Sequence, residues 1–392
     1  MTQTADVVII GGAVVGSAVA YFLATHAGFK GRVLLLEKDP SYTRCATTLS
    51  MASIRHQFST PVNIAMSMFC TRFLRQAGEL LQLQGDAPTI GFREAGYLFL
   101  ASESGLGVLR ANHQVQRSLG ADVALLAPQA LHQRFPWLAV DDLAGGSLGL
   151  SGEGWLDAHA LMHGFRRKAQ GLGVQVRHAQ AVGMRCARGR VVQVQLADGE
   201  VVDCGWVVNA AGTAAAEVAA WAGIELAVQP RKRCVFHFRS PAELPACPLV
   251  IDPTGVYFRP EGQGFLCGVA PPEDADPVSH DFEVDWSLWE EQLWPTVAQR
   301  VPGFAAARLL SAWAGHYDVN VLDHNAIIGA HPDLENLLFA NGFSGHGLQQ
   351  APAVGRALAE TIVDGGYQSL DLSPLGWQRV LRNEPLRELN VV

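Results

Sequence analysis

Two short apolar runs frame the start of the chain. Residues 6–10 (DVVII) are a β-branched run of the length expected for a strand buried on both faces, and residues 32–37 (RVLLLE) form a second such run that ends in an acid. Between them come Gly11-Gly12-Ala13-Val14-Val15-Gly16 and a small, apolar stretch at 17–25 with helical character. The pattern predicts strand, tight turn, helix, strand. Further along, 174–176 and 190–196 read as strands, the latter passing through Ala197-Asp198-Gly199-Glu200 into 201–202. The last helix is predicted from near 353, after a glycine-rich loop, to 364.

Length changes the picture next. A chain of 392 residues exceeds one ordinary core and predicts two domains. Nearly half the residues are hydrophobic and 17% are charged, which suits buried sheets and excludes a disordered chain. The net charge of -8 gives no footprint for nucleic acid. Arg231-Lys232-Arg233 reads as a solvated or packing element, since three residues make no patch. Residues 7–24 are long and apolar enough to be mistaken for a membrane span, but their glycines and the lack of a preceding Lys or Arg favour a buried strand, turn and helix. No membrane span is therefore expected. Seven cysteines without C-x-x-C spacing argue against structural zinc and for reduced thiols in a cytoplasmic protein.

The opening pattern also carries chemistry. Glu37 lies 21 residues after Gly16, the layout of a dinucleotide site. Glycines let the backbone turn tightly, amides at the helix start face the pyrophosphate, and the helix dipole favours anions there. Glu37 can accept hydrogen bonds from ribose hydroxyls. One departure is Ala13, where the fingerprint has its middle glycine.

Four further segments carry a resemblance: Thr47-Thr48-Leu49-Ser50-Met51-Ala52-Ser53-Ile54-Arg55-His56; residues 207–212 (VVNAAG); Tyr257-Phe258-Arg259-Pro260-Glu261-Gly262; and Gly342-Phe343-Ser344-Gly345-His346-Gly347, followed by Pro352 and Gly355. In this order they resemble the D-amino-acid oxidase, glycine oxidase and sarcosine oxidase family of flavoenzymes. Residues 314–320 and 323–325, with PRKR at 230–233, resemble a subgroup of that family linked to assembly of respiratory complex I.

The resemblance implies an α/β fold: a Rossmann-type FAD-binding domain at 1–85, 150–225 and 310–392, and a substrate domain built on a mixed sheet at 86–149 and 226–309. It implies FAD contacts at Gly11, Gly12, Ala13, Val14, Val15 and Gly16; at Glu37 and Lys38; at Thr47, Thr48, Ser50 and Met51; at Val182; at Ala210, Ala211 and Gly212; at Gly315; and at Gly345, His346, Gly347 and Leu348. Backbone amides of 345–348 would stabilise charge that grows on the reduced flavin.

For catalysis the resemblance implies four residues. Arg55 matches the carboxylate-binding arginine of sarcosine oxidase, and a guanidinium offers carboxylate a bidentate fork. Tyr257 matches a tyrosine bordering the substrate there. His316 falls where sarcosine oxidase attaches flavin through cysteine, and FAD is expected to be non-covalent because no cysteine lies nearby. Gln349 replaces a second, lysine clamp for the carboxylate. Two other departures are Asp318, where glycine and D-amino-acid oxidases place a carboxylate-binding arginine, and Leu266, where sarcosine oxidase has a lysine that aids reaction with oxygen. The expectation is an FAD-dependent oxidoreductase that oxidises the C–N bond of a small amine or amino acid, N-methylated or D-configured substrates included, and is more dehydrogenase than oxidase. The electron acceptor is left open between a quinone, a carrier and oxygen. Alternatives are a 2-hydroxy-acid dehydrogenase and a flavoprotein assembly factor with little turnover.

Overall fold

The computed structural model describes residues 3–389. Gln3–Ile10 lies inside a sheet, with Val7, Val8 and Ile9 fully buried as their unbroken apolar run requires. It pairs in parallel with Val33–Glu37 on one side and Val201–Asn209 on the other. Gln175–His178 extends the sheet beyond Val33–Glu37, and Leu334–Asn341 beyond Val201–Asn209, both in parallel. Ile327–His331 closes that second edge antiparallel, and Ala181–Ala187 with Arg190–Leu196 forms an antiparallel extension.

Parallel neighbours need a crossover, and Val14–Thr25 supplies the first. It is buried along most of its length between Ala158–Gly171 and Gly347–Asp364. The approach of Gly347–Asp364 is close enough to demand glycine: a Cβ on Gly355 would stand 2.7 Å from the carbonyl carbon of Ala18. The last helix begins at Gly347, earlier than the sequence predicts. Pro352 lies inside it and forfeits one helical hydrogen bond, a loss offset by packing on Val14–Thr25. Near the C-terminus, Glu388 accepts hydrogen bonds from the Ser59 amide (2.6 Å) and Asn63 Nδ2 (2.7 Å), just ahead of and within the first turn of Pro61–Arg75.

A second sheet runs in the order Arg308–Asn320, Val228–Arg239, Gly264–Gly268, Tyr257–Glu261, Leu249–Ile251, Tyr97–Ala101, Gly145–Gly149, Val123–Leu126. Only Leu249–Ile251 with Tyr97–Ala101 is parallel, so the sheet is mixed as expected. Arg308–Asn320 belongs to this sheet, although on sequence residues from 310 onward were assigned to the FAD-binding part; twelve of its positions pair with Val228–Arg239. Strand alternation sorts side chains to two faces. Phe236, Phe258, Phe265 and Cys267 pack into one core, while Tyr257, Leu266 and Val235 join Tyr97, Phe99 and Met51 on the other face. The second face is the one turned toward the loops of the first sheet.

Candidate active site

The first turn is built where the sequence places it. Gly11 has φ +102°, and a Cβ there would stand 2.3 Å from the Ala210 carbonyl oxygen. Ala13 is extended (φ -67°, ψ -168°), a conformation open to any residue, so its methyl costs the turn nothing. Glu37 Oε2 accepts from the Gly12 amide at 2.8 Å, and its Oε1 from the Asp39 amide at 2.8 Å. The Val14 amide, at the helix start, donates to Thr47 Oγ1 at 3.3 Å.

A cleft of about 590 Å³ runs from Gly11, Glu37 and Lys38 past Ala211 and Gly212 to His316. A second hollow of about 90 Å³ lies where Val14, Thr47, Ser50, Gly345, Gly347 and Leu348 meet. The helix Gly347–Asp364 opens on this hollow with a partly positive end. An elongated cleft with a tight glycine turn, a strand-end acid and two helix N-termini fits a dinucleotide carrying a ring that gains negative charge.

Ala13, Val15 and Ala210 also line one hollow or the other. The remaining predicted cofactor residues support it from behind. Gly12 is tied to Glu37, and a Cβ on Gly16 would stand 1.9 Å from the Gly11 carbonyl oxygen. Thr48 meets the Cys45 thiol at 3.3 Å, and Met51 is buried in the substrate-side cluster. Gly315 lets its strand pass Leu49, where a Cβ would find another carbon at 2.9 Å. The Val182 side chain is exposed, while its neighbours Ala179, Gln180 and Ala181 line the cleft, because strand alternation turns Ala181 inward and Val182 outward.

Arg55 is 2% exposed. Its guanidinium carbon lies 4.5 Å from the ring centre of Phe58, 5.4 Å from Phe99 and 5.9 Å from Tyr97, and Nη2 meets His346 Nε2 at 2.9 Å. Burial and the Arg55 charge push His346 down to about 3, so this ring is neutral and accepts from the guanidinium. Gln349 Oε1 accepts from the Arg55 amide at 2.9 Å. Gln349 thus holds the Arg55 backbone through its side-chain oxygen.

Tyr257 is buried, which raises its hydroxyl pKa well above the usual value and keeps it a donor. Leu266 shares its apolar cluster. The cross-strand partner of Leu266 is Arg259, whose charge is already met by Glu261 and whose Nε donates to the Met51 carbonyl at 3.0 Å. His316 lines the cleft edge-on to Phe282 at 4.6 Å, with Nε2 buried and unpartnered among the described residues. Asp318 does not replace a substrate arginine in function. Its Oδ2 accepts from the Gly342 amide at 2.8 Å, and burial lifts it to about 6 against that bond and the one from Phe343.

Sequence reasoning missed Glu153. It is fully buried behind Arg55, accepting from the amides of His56 (2.5 Å) and Gln57 (3.1 Å) and from Gln57 Nε2 (2.8 Å). An acid between glycines at 152 and 154 was the available signal, and those glycines are needed: a Cβ on Gly154 would stand 1.9 Å from the Arg93 carbonyl oxygen. Burial raises Glu153 to about 7, against its hydrogen bonds and the Arg55 charge. A folded pKa above the unfolded one gives stability that is complete below the unfolded value and lost as pH rises through the folded value. Wild type should therefore lose melting temperature relative to Glu153→Gln between pH 5 and pH 8. A gap that stays constant over that window would show that Glu153 does not titrate there.

The chain belongs to the DAO family of FAD-dependent oxidoreductases, whose model matches residues 6–361. FAD is the cofactor of this family. Within the family it is 41% identical over 425 residues to FAD-dependent oxidoreductase domain-containing protein 1 of Xenopus laevis, covering 100% of this chain and 85% of that protein. It is 26% identical over 384 residues to glycine oxidase of Geobacillus kaustophilus, covering 97% of this chain and 98% of the enzyme. Among solved structures, L-proline dehydrogenase from P. horikoshii superposes with TM-score 0.87 at 24% identity, over 98% of this chain and 100% of that one, which shows the shared fold. No helix among the described residues is long and apolar enough to cross a membrane.

Proposed function

We propose that this oxidoreductase acts on the C–N bond of a small amine or amino acid and passes the electrons to an acceptor other than oxygen. The observation that carries the reading is Arg55, a buried guanidinium boxed by Phe58, Tyr97 and Phe99 beside the glycine loop. Bound FAD supplies the hydride acceptor. The chain supplies the rest. Arg55 anchors the substrate carboxylate, with Gln349 fixing its backbone and His346 its Nη2 edge. Met51, Tyr97, Phe99 and Leu266 exclude water. His346, pushed down to about 3 and with Nε2 accepting from Arg55, is too weak a base to take the proton of an ammonium near neutrality, so in this reading the substrate amine reaches His346 already neutral.

The choice of acceptor rests on Leu266. A cation beside the reduced ring would stabilise superoxide as it forms. Leu266 is apolar, and its cross-strand partner Arg259 is neutralised by Glu261 two residues along the same strand. Two measurements test the reading. Anaerobic addition of amines, N-methyl amino acids, D-amino acids and 2-hydroxy acids should bleach the flavin with an amine and not with a hydroxy acid; bleaching by hydroxy acids alone would replace the substrate class. In stopped flow, reduced protein should be reoxidised faster by a quinone than by oxygen. Fast reoxidation by oxygen would remove the dehydrogenase half.

A further inference from the structure

The geometry points to Arg233 as a second carboxylate-binding residue of the same site, making the substrate an amine that carries two carboxylates. This rests on the reading of Arg55 as the first carboxylate anchor. Arg233 lies on Val228–Arg239, and its side chain is 11% exposed. Its guanidinium carbon stands 5.2 Å from the ring centre of Tyr317. The charges of Arg55 and Arg233 both act on the buried Tyr317 hydroxyl, and that of Arg233 acts on Tyr257 as well. Both guanidiniums therefore act on Tyr317, which Arg233 also contacts through its ring face. Tyr317 in turn packs against Gly345, where a Cβ would stand 2.4 Å from its ring, so this cluster adjoins the glycine loop.

Arg233 already holds a carboxylate. Nη1 and Nη2 grip Asp276 Oδ1 and Oδ2 at 2.7 Å each, the fork geometry with which guanidinium takes a ligand carboxylate. Asp276 sits on a largely exposed segment whose neighbours Glu273, Asp274, Ala275, Pro277 and Val278 face solvent. That segment is fastened beyond Asp276 by the Ser279 amide to the Pro230 carbonyl (3.1 Å) and by Lys232 to Asp281 (2.7 Å) at the surface. The Nε–H of Arg233 is buried and has no partner among the described residues, so Asp276 leaves one donor of the fork unused. A surface loop thus lends one acid to a buried cation that it satisfies incompletely. A substrate's second carboxylate would displace Asp276 and take its place, whereas a monocarboxylate would leave Asp276 where it is.

The test uses two thioethers with no amine to oxidise, thiodiacetate with two carboxylates and (methylthio)acetate with one. Their dissociation constants are read from the perturbed flavin absorbance of the FAD-loaded protein. Wild type should prefer thiodiacetate. Arg233→Gln should weaken thiodiacetate by about tenfold or more and move (methylthio)acetate little, as expected for loss of one buried charge partner. Asp276→Asn, which removes the competing carboxylate, should tighten thiodiacetate alone, and this variant decides the matter if Arg233→Gln fails to fold. Equal effects on both ligands, no effect on either, or no thiodiacetate binding by wild type would overturn the second anchor. If (methylthio)acetate binds and loses affinity in Arg55→Ala while thiodiacetate gains nothing from Arg233, the Arg55 reading stands and this inference alone falls. If Arg55→Ala leaves (methylthio)acetate binding intact, the first anchor falls and the second with it.

Discussion

Arg55→Ala should weaken any carboxylate ligand by about 2–5 kcal/mol, roughly thirtyfold to several thousandfold, while an uncharged amine of like shape loses far less. The size follows from burial. Arg55 is 2% exposed, so its attraction for a carboxylate is poorly screened. The substitution also removes the donor that His346 Nε2 receives and the charge that helps keep Glu153 ionised. Alanine leaves a void among Phe58, Tyr97 and Phe99, so a loss of packing accompanies the loss of charge. Arg55→Met keeps most of the volume and isolates the charge. Dissociation constants for a carboxylate and its amide, measured on all three proteins, check the expectation. Equal losses for acid and amide would show that Arg55 only fills space.

Glu37→Ala should cost FAD affinity at about 1.5–3 kcal/mol for each charged hydrogen bond removed. In the structure Glu37 has two tasks. Its carboxylate accepts from the Gly12 amide inside the turn and from the Asp39 amide just past the strand, and it lines the cleft where ribose hydroxyls would arrive. The substitution strips an acceptor from the turn as well as from the ligand. The control is FMN, which lacks the adenosine. Titration of the apoprotein should show a clear fall in FAD affinity and a small change for FMN, with Glu37→Gln between wild type and alanine. Unchanged FAD affinity would reduce Glu37 to a strand-end residue.

What the sequence revealed about this site was local. Residues 6–10, the glycines that follow and Glu37 form one contiguous unit, so periodicity and spacing were enough to find it. The glycine loop at 342–347 was equally plain because its motif is continuous. The misreadings came from tertiary contacts. Pro352 lies within the last helix, where packing on Val14–Thr25 offsets the hydrogen bond it forfeits. Asp318 looked like a substituted substrate residue, yet it braces the loop through Gly342. Gln349 stands where the resemblance places a clamp lysine, and only the fold shows that it holds the Arg55 amide. Glu153 and the Arg233–Asp276 pair were invisible because their partners are 96, 97 and 43 residues away in the chain. No local pattern marks a carboxylate that will be buried by folding.

The bond between Gln349 and the Arg55 amide joins the proposed carboxylate anchor to the helix that opens on the cofactor hollow. Any coupling that this bond carries between the two sites works in both directions. By thermodynamic reciprocity, whatever factor FAD adds to the affinity for a carboxylate ligand, the ligand must return to FAD. Cofactor retention and ligand affinity are then two readings of one coupling, and the sign of either fixes the sign of the other.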